Sequence, residues 1–298
     1  MARTARLATL VIMVLVWPGL PSVDAWNDER REFVIGVISV KPDKMLRKYS
    51  PMANYIALRL KKFGVQRGTV VVAKNIEEMR KRVRRGGVDL IFESAFSTLE
   101  LKKEGMLPSL LVWRKGVREY RSLFFVRKDS ALQELTDLKG KTIVFEDPHS
   151  TSAYAVPKAA LKKRGLQVMP LAEARKAAGT VRYAFGGEEL NLAFWVIQKK
   201  ADAGVFNNND WDELPQNIKT GLRVIHETRP VLRYLGSFHP AVPLKTRQAV
   251  ENVLVNMHRT GEGRKALRSA SRIKKIERLT RQDRKALDYV KELMQFVD

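Results

Sequence analysis

The stretch KTIVFEDPHSTSAY, Lys141–Tyr154, joins a β-type apolar run to a helical one through three consecutive hydroxyl residues, Ser150, Thr151 and Ser152. A helix cap needs only one such oxygen, because one acceptor satisfies one free N–H at the helix start. Three hydroxyls beside the positive end of a helix dipole suit a tetrahedral oxyanion. The alternative is that they only cap the helix after an ordinary turn.

The composition indicates a folded protein without disulfides, and the sequence lacks the usual catalytic motifs. At 298 residues and 45% apolar content, the chain can form one large domain or two ordinary ones. The absence of cysteine excludes disulfides, thiolate metal sites and a lipid-modified cysteine. The histidines lack a metal spacing, and there is no nucleophile elbow or P-loop. We therefore expect no enzyme activity, cofactor or metal.

The first 25 residues have the organisation of an export signal. Arg3 and Arg6 precede the apolar run Leu7–Val16, and small residues end at Ala25, where we expect cleavage. The apolar run is much shorter than the roughly 20 residues of a membrane span. We therefore expect a periplasmic protein that begins at residue 26.

The chain is strongly basic. Its net charge is +23, and removal of residues 1–25 takes away two arginines and one aspartate, which leaves +22. Such a charge favours polyanions, anionic membrane surfaces or small anions as partners. The basic runs lack interleaved aromatics, so we expect no nucleic-acid partner. Their spacing is typical of solvated helix faces, in Arg80–Arg85, Lys162–Arg164 and Arg272–Lys285.

From residue 33 onward, short β-type runs alternate with helical patterns, which indicates parallel sheets covered on both faces. The pattern occurs twice and predicts two α/β lobes. The predicted strands are Phe33–Val40, Thr69–Ala73, Val88–Phe92, Leu123–Val126, Lys141–Phe145, Val181–Phe185, Ala201–Phe206, Leu222–His226 and Tyr234–Phe238. The predicted helices are Pro51–Phe63 with Ser50 as N-cap, Ile76–Arg84, Thr98–Lys103, Ser152–Arg164, Leu190–Lys199, and others after Pro243 with breaks at Gly261 and Gly263.

Polar loops follow four of these strands. Ligands of open parallel sheets lie outside the carboxyl ends of the strands, where loops lead into helices. We therefore expect the site in the loops Phe92–Ser94, Asp147–Ser152, Gly186–Asn191 and Phe206–Asp210.

Six motifs, in chain order, resemble the periplasmic phosphate-, phosphite- and phosphonate-binding proteins of ABC transporters, the PhnD-like family. They are GVIS with PMANYIALRL, GGVDLIFESAF, EYRSLFFVRKDS, LTDLKGKTIVFEDPHSTSAYAVPKAAL, GGEELNLAFWVIQKKADAG and GLRVIHETRP. The resemblance implies an α/β, two-lobed periplasmic-binding-protein-like fold of type 2, in which a two-crossover hinge joins two parallel or mixed sheets. Lobe one would comprise residues 26–125 plus 232–298, and lobe two residues 126–231.

The resemblance also implies a function. The protein would be the solute-binding component of an ABC transporter and would trap a small anionic or zwitterionic solute of the phosphate or phosphonate type by hinge closure. Its partners would be that solute and a membrane permease, and we expect a monomer. Two alternatives stay open: a sensory protein that docks on a membrane receptor, and a basic protein that binds envelope polymers or lipid surfaces.

The predicted ligand contacts come from all four loops. By resemblance, the hydroxyl run binds the oxyanion. The family often has an aromatic, Gly-Pro or Gly-Asn at Glu93 and a histidine near Glu189. A carboxylate beside a dianion is repulsive unless it is protonated or contacts a cationic part of the ligand, so these differences bear on the solute. The predicted contacts are Ser150, Thr151, Ser152, Glu93, Ser94, Glu189 and Asn207.

Each polar candidate has a structural alternative. Asn207 offers a donor and an acceptor to the ligand, but it equally suits an Asx turn. Glu188 and Glu189 equally suit the positive end of a helix dipole. Tyr120 lies beside the first crossover, where we expect packing rather than ligand contact. A Glu93 and Glu189 pair used for acid–base chemistry or cation binding is the enzymatic alternative.

Overall fold

The computed structural model describes residues 32–173 and 178–297. The expected signal segment, residues 1–25, therefore lies outside the described residues. Within the described ranges, no helix combines the length and apolar character that a membrane span requires.

The chain alternates strands and helices throughout. The first elements are β1 (Glu32–Ile38), α1 (Pro42–Arg59), β2 (Arg67–Ala73), α2 (Ile76–Arg84), β3 (Leu90–Ser94), α3 (Ala95–Lys102) and β4 (Leu107–Arg114). Next come β5 (Glu119–Tyr120), β6 (Ser122–Arg127), β7 (Thr142–Phe145), the π-helical turn Thr151–Ala155, α4 (Val156–Lys162), β8 (Val168–Pro170) and β9 (Val181–Phe185). Then follow α5 (Glu189–Ile197), β10 (Ala203–Asn207), α6 (Asn208–Glu213), α7 (Gln216–Lys219), β11 (Leu222–Glu227) and β12 (Val231–Leu232). The last are β13 (Tyr234–Phe238), α8 (Leu244–Asn256), α9 (Gly261–Ser269), β14 (Ile273–Arg278) and α10 (Arg281–Met294).

Two six-stranded mixed sheets form the framework of the described chain. Their strand orders are β14-β4-β13-β3-β1-β2 and β11-β6-β10-β7-β9-β8. Strand β1 pairs in parallel with β2 and β3, and β7 pairs in parallel with β9 and β10, whereas the β13–β4 and β10–β6 pairs are antiparallel. This architecture confirms the predicted α/β fold with two mixed sheets. We call the sheet that contains β1 and its helices lobe one, and the other sheet and its helices lobe two.

The chain passes between the sheets at β5 and β12, which pair with each other outside both sheets. The expected lobe boundary at residues 125/126 would divide β6, yet all of β6 pairs within lobe two. We therefore propose that the first crossing precedes Ser122. Helix α10 packs on α3, α4 and β12, so it contacts both lobes and the crossing strands.

The first helix is longer than predicted. It begins at Pro42 rather than Pro51, which lies inside the helix. Ser50 is therefore not an N-cap, and its hydroxyl donates to the Leu46 carbonyl at 2.7 Å. The burial of Met52 and Ile56 in the core of lobe one offsets the missing proline N–H, and Pro42 supplies the favoured proline of the first turn.

The C-terminal region was predicted to be wholly helical, but it also contains a strand. The basic stretch from Arg272 contains β14, which pairs with β4 and buries Ile273 and Ile276. Gly261 and Gly263 lie in the first turn of α9 rather than in a break. Gly263 is required there because a Cβ would lie 2.0 Å from the Met257 carbonyl oxygen. Strands β4 and β8 were also missed.

Candidate functional site

The four predicted loops converge between the lobes. Strands β10, β7 and β9 are parallel neighbours, so the loops that follow them share one edge of lobe two. The predicted loop Phe92–Ser94 is the end of β3, and the first turn of α3, which follows it directly, meets the other loops from lobe one. The amide of Phe96 donates to Thr151 Oγ1 at 2.8 Å, and the Ser97 hydroxyl donates to the His149 carbonyl at 3.4 Å. The first turn of α3 in lobe one and the hydroxyl loop of lobe two are therefore in direct contact.

The hydroxyl run divides into one capping residue and two inward residues. Ser150 caps the π-helical turn by accepting from the Ala153 amide at 3.1 Å, and its hydroxyl donates to Glu146 Oε2 at 2.8 Å. Thr151 and Ser152 are only 1% and 2% exposed. The capping alternative therefore describes Ser150, while Thr151 and Ser152 face the meeting point of the lobes.

Tyr120 lies at that meeting point. Burial raises the pKa of Tyr120, whereas hydrogen bonding from Ser152 and Thr151 and the charges of Arg233 and Arg114 oppose the increase. Tyr120 belongs to the crossing strand β5 and packs with Val231 and Leu232 of β12, as expected, but its hydroxyl also contacts the hydroxyl run. Polar groups from lobe two, from lobe one and from the crossing region therefore lie near the Tyr120 hydroxyl.

Two arginines that sequence reasoning missed supply the cationic part of the site. The Arg114 guanidinium lies 5.0 Å from the centroid of the Tyr234 ring, and its buried Nε has no hydrogen-bond partner among the described residues. Within the same ranges it forms no ion pair. Arg233 is 5% exposed, lies 5.2 Å from the Tyr120 ring centroid and donates to Asn209 Oδ1. Burial, followed by the charge of Arg114, lowers the pKa of Arg233.

Lobe one adds a further cation beside Arg114. Burial lowers the pKa of Lys48, and the charges of Lys44, Arg114 and Arg272 lower it further. The charges of Lys48, Arg114 and Arg272 repel one another, so an anion at this wall would relieve the repulsion among these groups. No motif distinguishes Arg114 from the surface cations around it in WRKGVRE, which is why the sequence did not identify it.

The acidic part of the site is largely on lobe two. Burial raises the pKa of Glu146 to about 8, and the neighbouring charges of Asp147, Glu189 and Asp210 contribute to the increase. Glu146 was not among the predicted contacts, although it directly follows β7 and immediately precedes the predicted loop Asp147–Ser152. These shared interactions place the loops after β7, β9 and β10 within electrostatic range of one another.

Glu93 is the acidic residue of lobe one. Burial raises its pKa to about 7, while the Ser94 amide, which donates to Glu93 Oε2 at 3.2 Å, opposes the increase. Glu93 and Glu146 therefore carry a proton near neutral pH for much of the time. A carboxyl group is tolerated beside a dianion if it is protonated or if it contacts a cationic part of the ligand. Burial of Glu93 and Glu146 favours protonation.

Other predicted contacts are engaged within the protein. Asn207 Oδ1 accepts from the amides of Asn209 and Asp210 at 3.1 and 3.2 Å, and its Nδ2 donates to Asp210. The amide oxygen thus caps α6, which is the Asx alternative, and the amide nitrogen is bonded to the Asp210 carboxylate. Ser94 precedes α3 and lies 3.4 Å from the Ser97 hydroxyl. Glu189 is partly exposed in the first turn of α5.

Ion pairs join the rims of the two lobes. Lys115 of lobe one pairs with Asp210 at 2.8 Å and with Glu213 at 2.7 Å, and Arg272 reaches Glu213 at 3.3 Å. Glu188, near the position where the family often has a histidine, pairs with Lys41 of lobe one. In each pair the cation is on lobe one and the carboxylate is on lobe two. The rims are therefore complementary in charge and hold the lobes together.

A metal centre is not part of this arrangement as far as the structure describes the chain. No group of three or more His, Asp or Glu residues within residues 32–173 and 178–297 has the arrangement of a metal site. The site offers hydroxyls, guanidinium groups and carboxyl groups, which suit a polar solute with separate regions of charge.

Comparison with known proteins identifies the family. Residues 35–284 match the family described as "ABC transporter, phosphonate, periplasmic substrate-binding protein". The chain belongs to this family. Membership confirms the resemblance stated from the sequence. The protein is therefore the solute-binding component of an ABC transporter, and its family is periplasmic. The members of this phosphonate-binding family serve as transporter components, not as enzymes.

Solved structures confirm the two-lobed fold. XAC2383 from Xanthomonas citri, solved with chloride and with ATP, is 28% identical, covers 90% of this chain and 98% of its own, and gives TM-scores of 0.85 and 0.84. PhnD1 from Prochlorococcus marinus, solved with methylphosphonate, is 16% identical with a TM-score of 0.66 over 91% of this chain and 100% of its own. A phosphonate transporter component from Pseudomonas aeruginosa, PA3383, is 18% identical with a TM-score of 0.64 over 89% of this chain and 86% of its own.

Proposed function

We propose that this phosphonate-family protein traps a small zwitterionic solute of the phosphate or phosphonate type between its lobes. The observation that carries the proposal is the convergence on Tyr120 of the Thr151 and Ser152 hydroxyls and the guanidinium groups of Arg114 and Arg233. These donors come from lobe two, lobe one and the crossing strands. An oxyanion held there would therefore contact both lobes, and closure would complete its binding site.

The acidic groups indicate that the other end of the solute is cationic. Glu189, Asp147 and Asp210 lie around Glu146 on lobe two, where a cationic amine would relieve their mutual repulsion. Glu93 lies on lobe one near both Arg114 and Asp147, so it is placed between the two ends. In its protonated form it donates to an oxyanion, and in its ionised form it attracts an amine. We retain Ser94 and Asn207 as contacts that would require rearrangement of their present hydrogen bonds.

The relatives support an anionic solute. XAC2383 was solved with ATP and with chloride, and PhnD1 was solved with methylphosphonate. All three ligands carry negative charge. The acidic cluster beside the donors is the feature of this chain that favours an added amine over a simple phosphonate.

We also propose that the protein is exported to the periplasm and binds a permease there. The segment up to Ala25 would be removed on export to the periplasm, and the closed, monomeric protein would dock on the permease of its transporter. The rim ion pairs would strengthen the closed form that the permease receives.

Calorimetric titration of residues 26–298 tests this proposal with four solutes: phosphate, phosphite, methylphosphonate and aminoethylphosphonate. We expect saturable binding, with aminoethylphosphonate the tightest. Ser152→Ala should weaken binding by about 1.5–3 kcal/mol, the contribution of a hydrogen bond to a charged group. The control is Ser130→Ala, because Ser130 follows β6 at the opposite edge of lobe two. Absence of binding to all four solutes would refute the proposal.

A further inference from the structure

A second pocket lies outside the cleft. It has a volume of about 250 Å³ and lies between α4, the end of β11 and α10, with Val156 and Leu293 among its apolar lining residues. Because α10 also packs on α3 and β12, the pocket adjoins the region where the lobes are joined. It shares none of the residues proposed to hold the transported solute.

Cationic side chains from three separate positions border this pocket. The Arg229 guanidinium lies 4.6 Å from the centroid of the Tyr289 ring, and Lys163 Nζ lies 5.8 Å from the same centroid. Arg164 Nη2 lies 3.4 Å from His226 Nε2, and burial together with the charge of Arg164 lowers the pKa of His226. His226 is therefore an acceptor for Arg164 rather than an additional charge.

No carboxylate of the described residues is paired with these cations. In the described ranges, Lys163, Arg164 and Arg229 take part in no ion pair. The carboxylate that borders the pocket, Glu227, is instead paired with Arg121 at 2.5 Å. Three positive charges that face one concavity repel one another, and a multiply charged anion would relieve that repulsion.

The wall also contains a neutral donor. Thr228 Oγ1 accepts from the Ser122 amide at 3.0 Å, which leaves its hydroxyl hydrogen available for an anion. The exposed charges border a partly open concavity rather than forming a stripe along the surface, so the pocket suits a compact ligand rather than an extended polymer.

We propose that this pocket is a second anion-binding site, which takes a small polyanion of the polyphosphate or phosphate-ester class. Lys163, Arg164 and Arg229 bind its charge, and the Thr228 hydroxyl donates to one of its oxygens. A free phosphate compound and a phospholipid headgroup present the same chemistry, and the experiment separates these two sources.

The test is calorimetric titration of inorganic pyrophosphate into the Arg114→Gln protein, in which the proposed cleft site is impaired. The double variant Arg164→Gln/Arg229→Gln in that background should lose at least about tenfold in affinity, since each hydrogen bond to a charged group contributes about 1.5–3 kcal/mol. The control Arg85→Gln/Arg268→Gln also removes two arginine charges, from exposed positions directly after α2 and on α9 that do not border the pocket. It should change the affinity less than about twofold, because exposed charges contribute little at a distance in salt.

Equal weakening by the two double variants would show a non-specific response to net charge and would overturn the proposal. A parallel sedimentation assay with phosphatidylglycerol vesicles identifies the source of the ligand. Vesicle binding that depends on Arg164 and Arg229 would assign the pocket to a lipid headgroup, and pyrophosphate binding alone would assign it to a free anion. If neither ligand binds through these arginines, the second site does not exist, whatever the cleft binds.

Discussion

The backbone amide of Phe96 donates to Thr151 Oγ1 at 2.8 Å, so the first turn of α3 in lobe one is bonded to the hydroxyl loop of lobe two. The Phe96 ring belongs to the core cluster of lobe two, together with Phe145 and Tyr154. Some of the contacts between the two lobes are therefore made by the residues that would hold the solute. Changes at the hydroxyl loop should affect both closure and binding.

Thr151→Val tests this link. The substitution keeps the shape of the side chain but removes the acceptor, which leaves the buried Phe96 amide without its partner. We expect it to weaken aminoethylphosphonate binding and to lower the stability of the closed form by about 1–3 kcal/mol, the usual cost of an unsatisfied buried donor. Calorimetry and thermal unfolding measure the two effects. Thr220→Val is the control, because Thr220 is exposed, and an equal response of both variants would contradict the link.

Arg114→Gln tests the cationic wall. Burial alone would lower the pKa of Arg114, but the nearby Tyr234, Tyr49 and Glu93 outweigh it and raise the pKa, so we expect the unliganded variant to be no more stable than the wild type. The affinity for aminoethylphosphonate should fall by at least tenfold, about 1.4 kcal/mol or more. The control is Arg278→Gln, because Arg278 lies at the opposite end of the same sheet and pairs with Glu251 at 3.2 Å. Unchanged affinity in Arg114→Gln would remove this residue from the site.

The pH dependence of stability should reveal Glu146. Its pKa is raised from 4.5 to about 8 in the folded protein, so the folded state holds the proton more tightly than the unfolded state. The resulting stabilisation is complete below pH 4.5 and is lost as the pH rises through 8. We expect urea unfolding to show falling stability between these limits. Glu146→Gln should flatten this fall by about 1–2 kcal/mol. Parallel profiles for the two proteins would contradict the protonated state.

Lys115→Gln tests the rim ion pairs. The variant removes both contacts of Lys115 with lobe two, so the unliganded protein should be more open, with a larger radius of gyration in X-ray scattering. High salt should shift the wild-type protein in the same direction because it screens the exposed rim pairs, Lys41–Glu188 and Arg272–Glu213. Lys103→Gln is the matched control, since Lys103 pairs with Glu100 at 2.7 Å within lobe one. If both variants scatter as the wild type does, the rim pairs do not hold the lobes.

Local patterns predicted much of the fold. Helix α2 and strands β9 and β13 have the predicted limits, because their apolar periodicity and capping residues act within a few positions. The limits of α1 were wrong, since burial of its apolar side against lobe one outweighed the interior proline. Strand β14 was missed because only Ile273 and Ile276 are buried within a basic stretch that also fits a helix.

The site was predictable only in part. The rule that ligands bind at strand ends selected four loops, and the structure brings these loops together. The strand-end rule did not predict that Asn207 would use its own amide group to cap α6. Arg114 and Lys115 gain their roles from residues about 95 to 120 positions away, such as Asp210 and Tyr234, and no short sequence pattern records such contacts.

The crystal structure of the protein in complex with aminoethylphosphonate is the most direct test of the central claim. We predict that the phosphonate oxygens lie within hydrogen-bond distance of the Arg114 guanidinium and of the Thr151 and Ser152 hydroxyls. The amine should then face Glu189 and Asp210. A reversed ligand, or one bound outside the space between the lobes, would contradict the account.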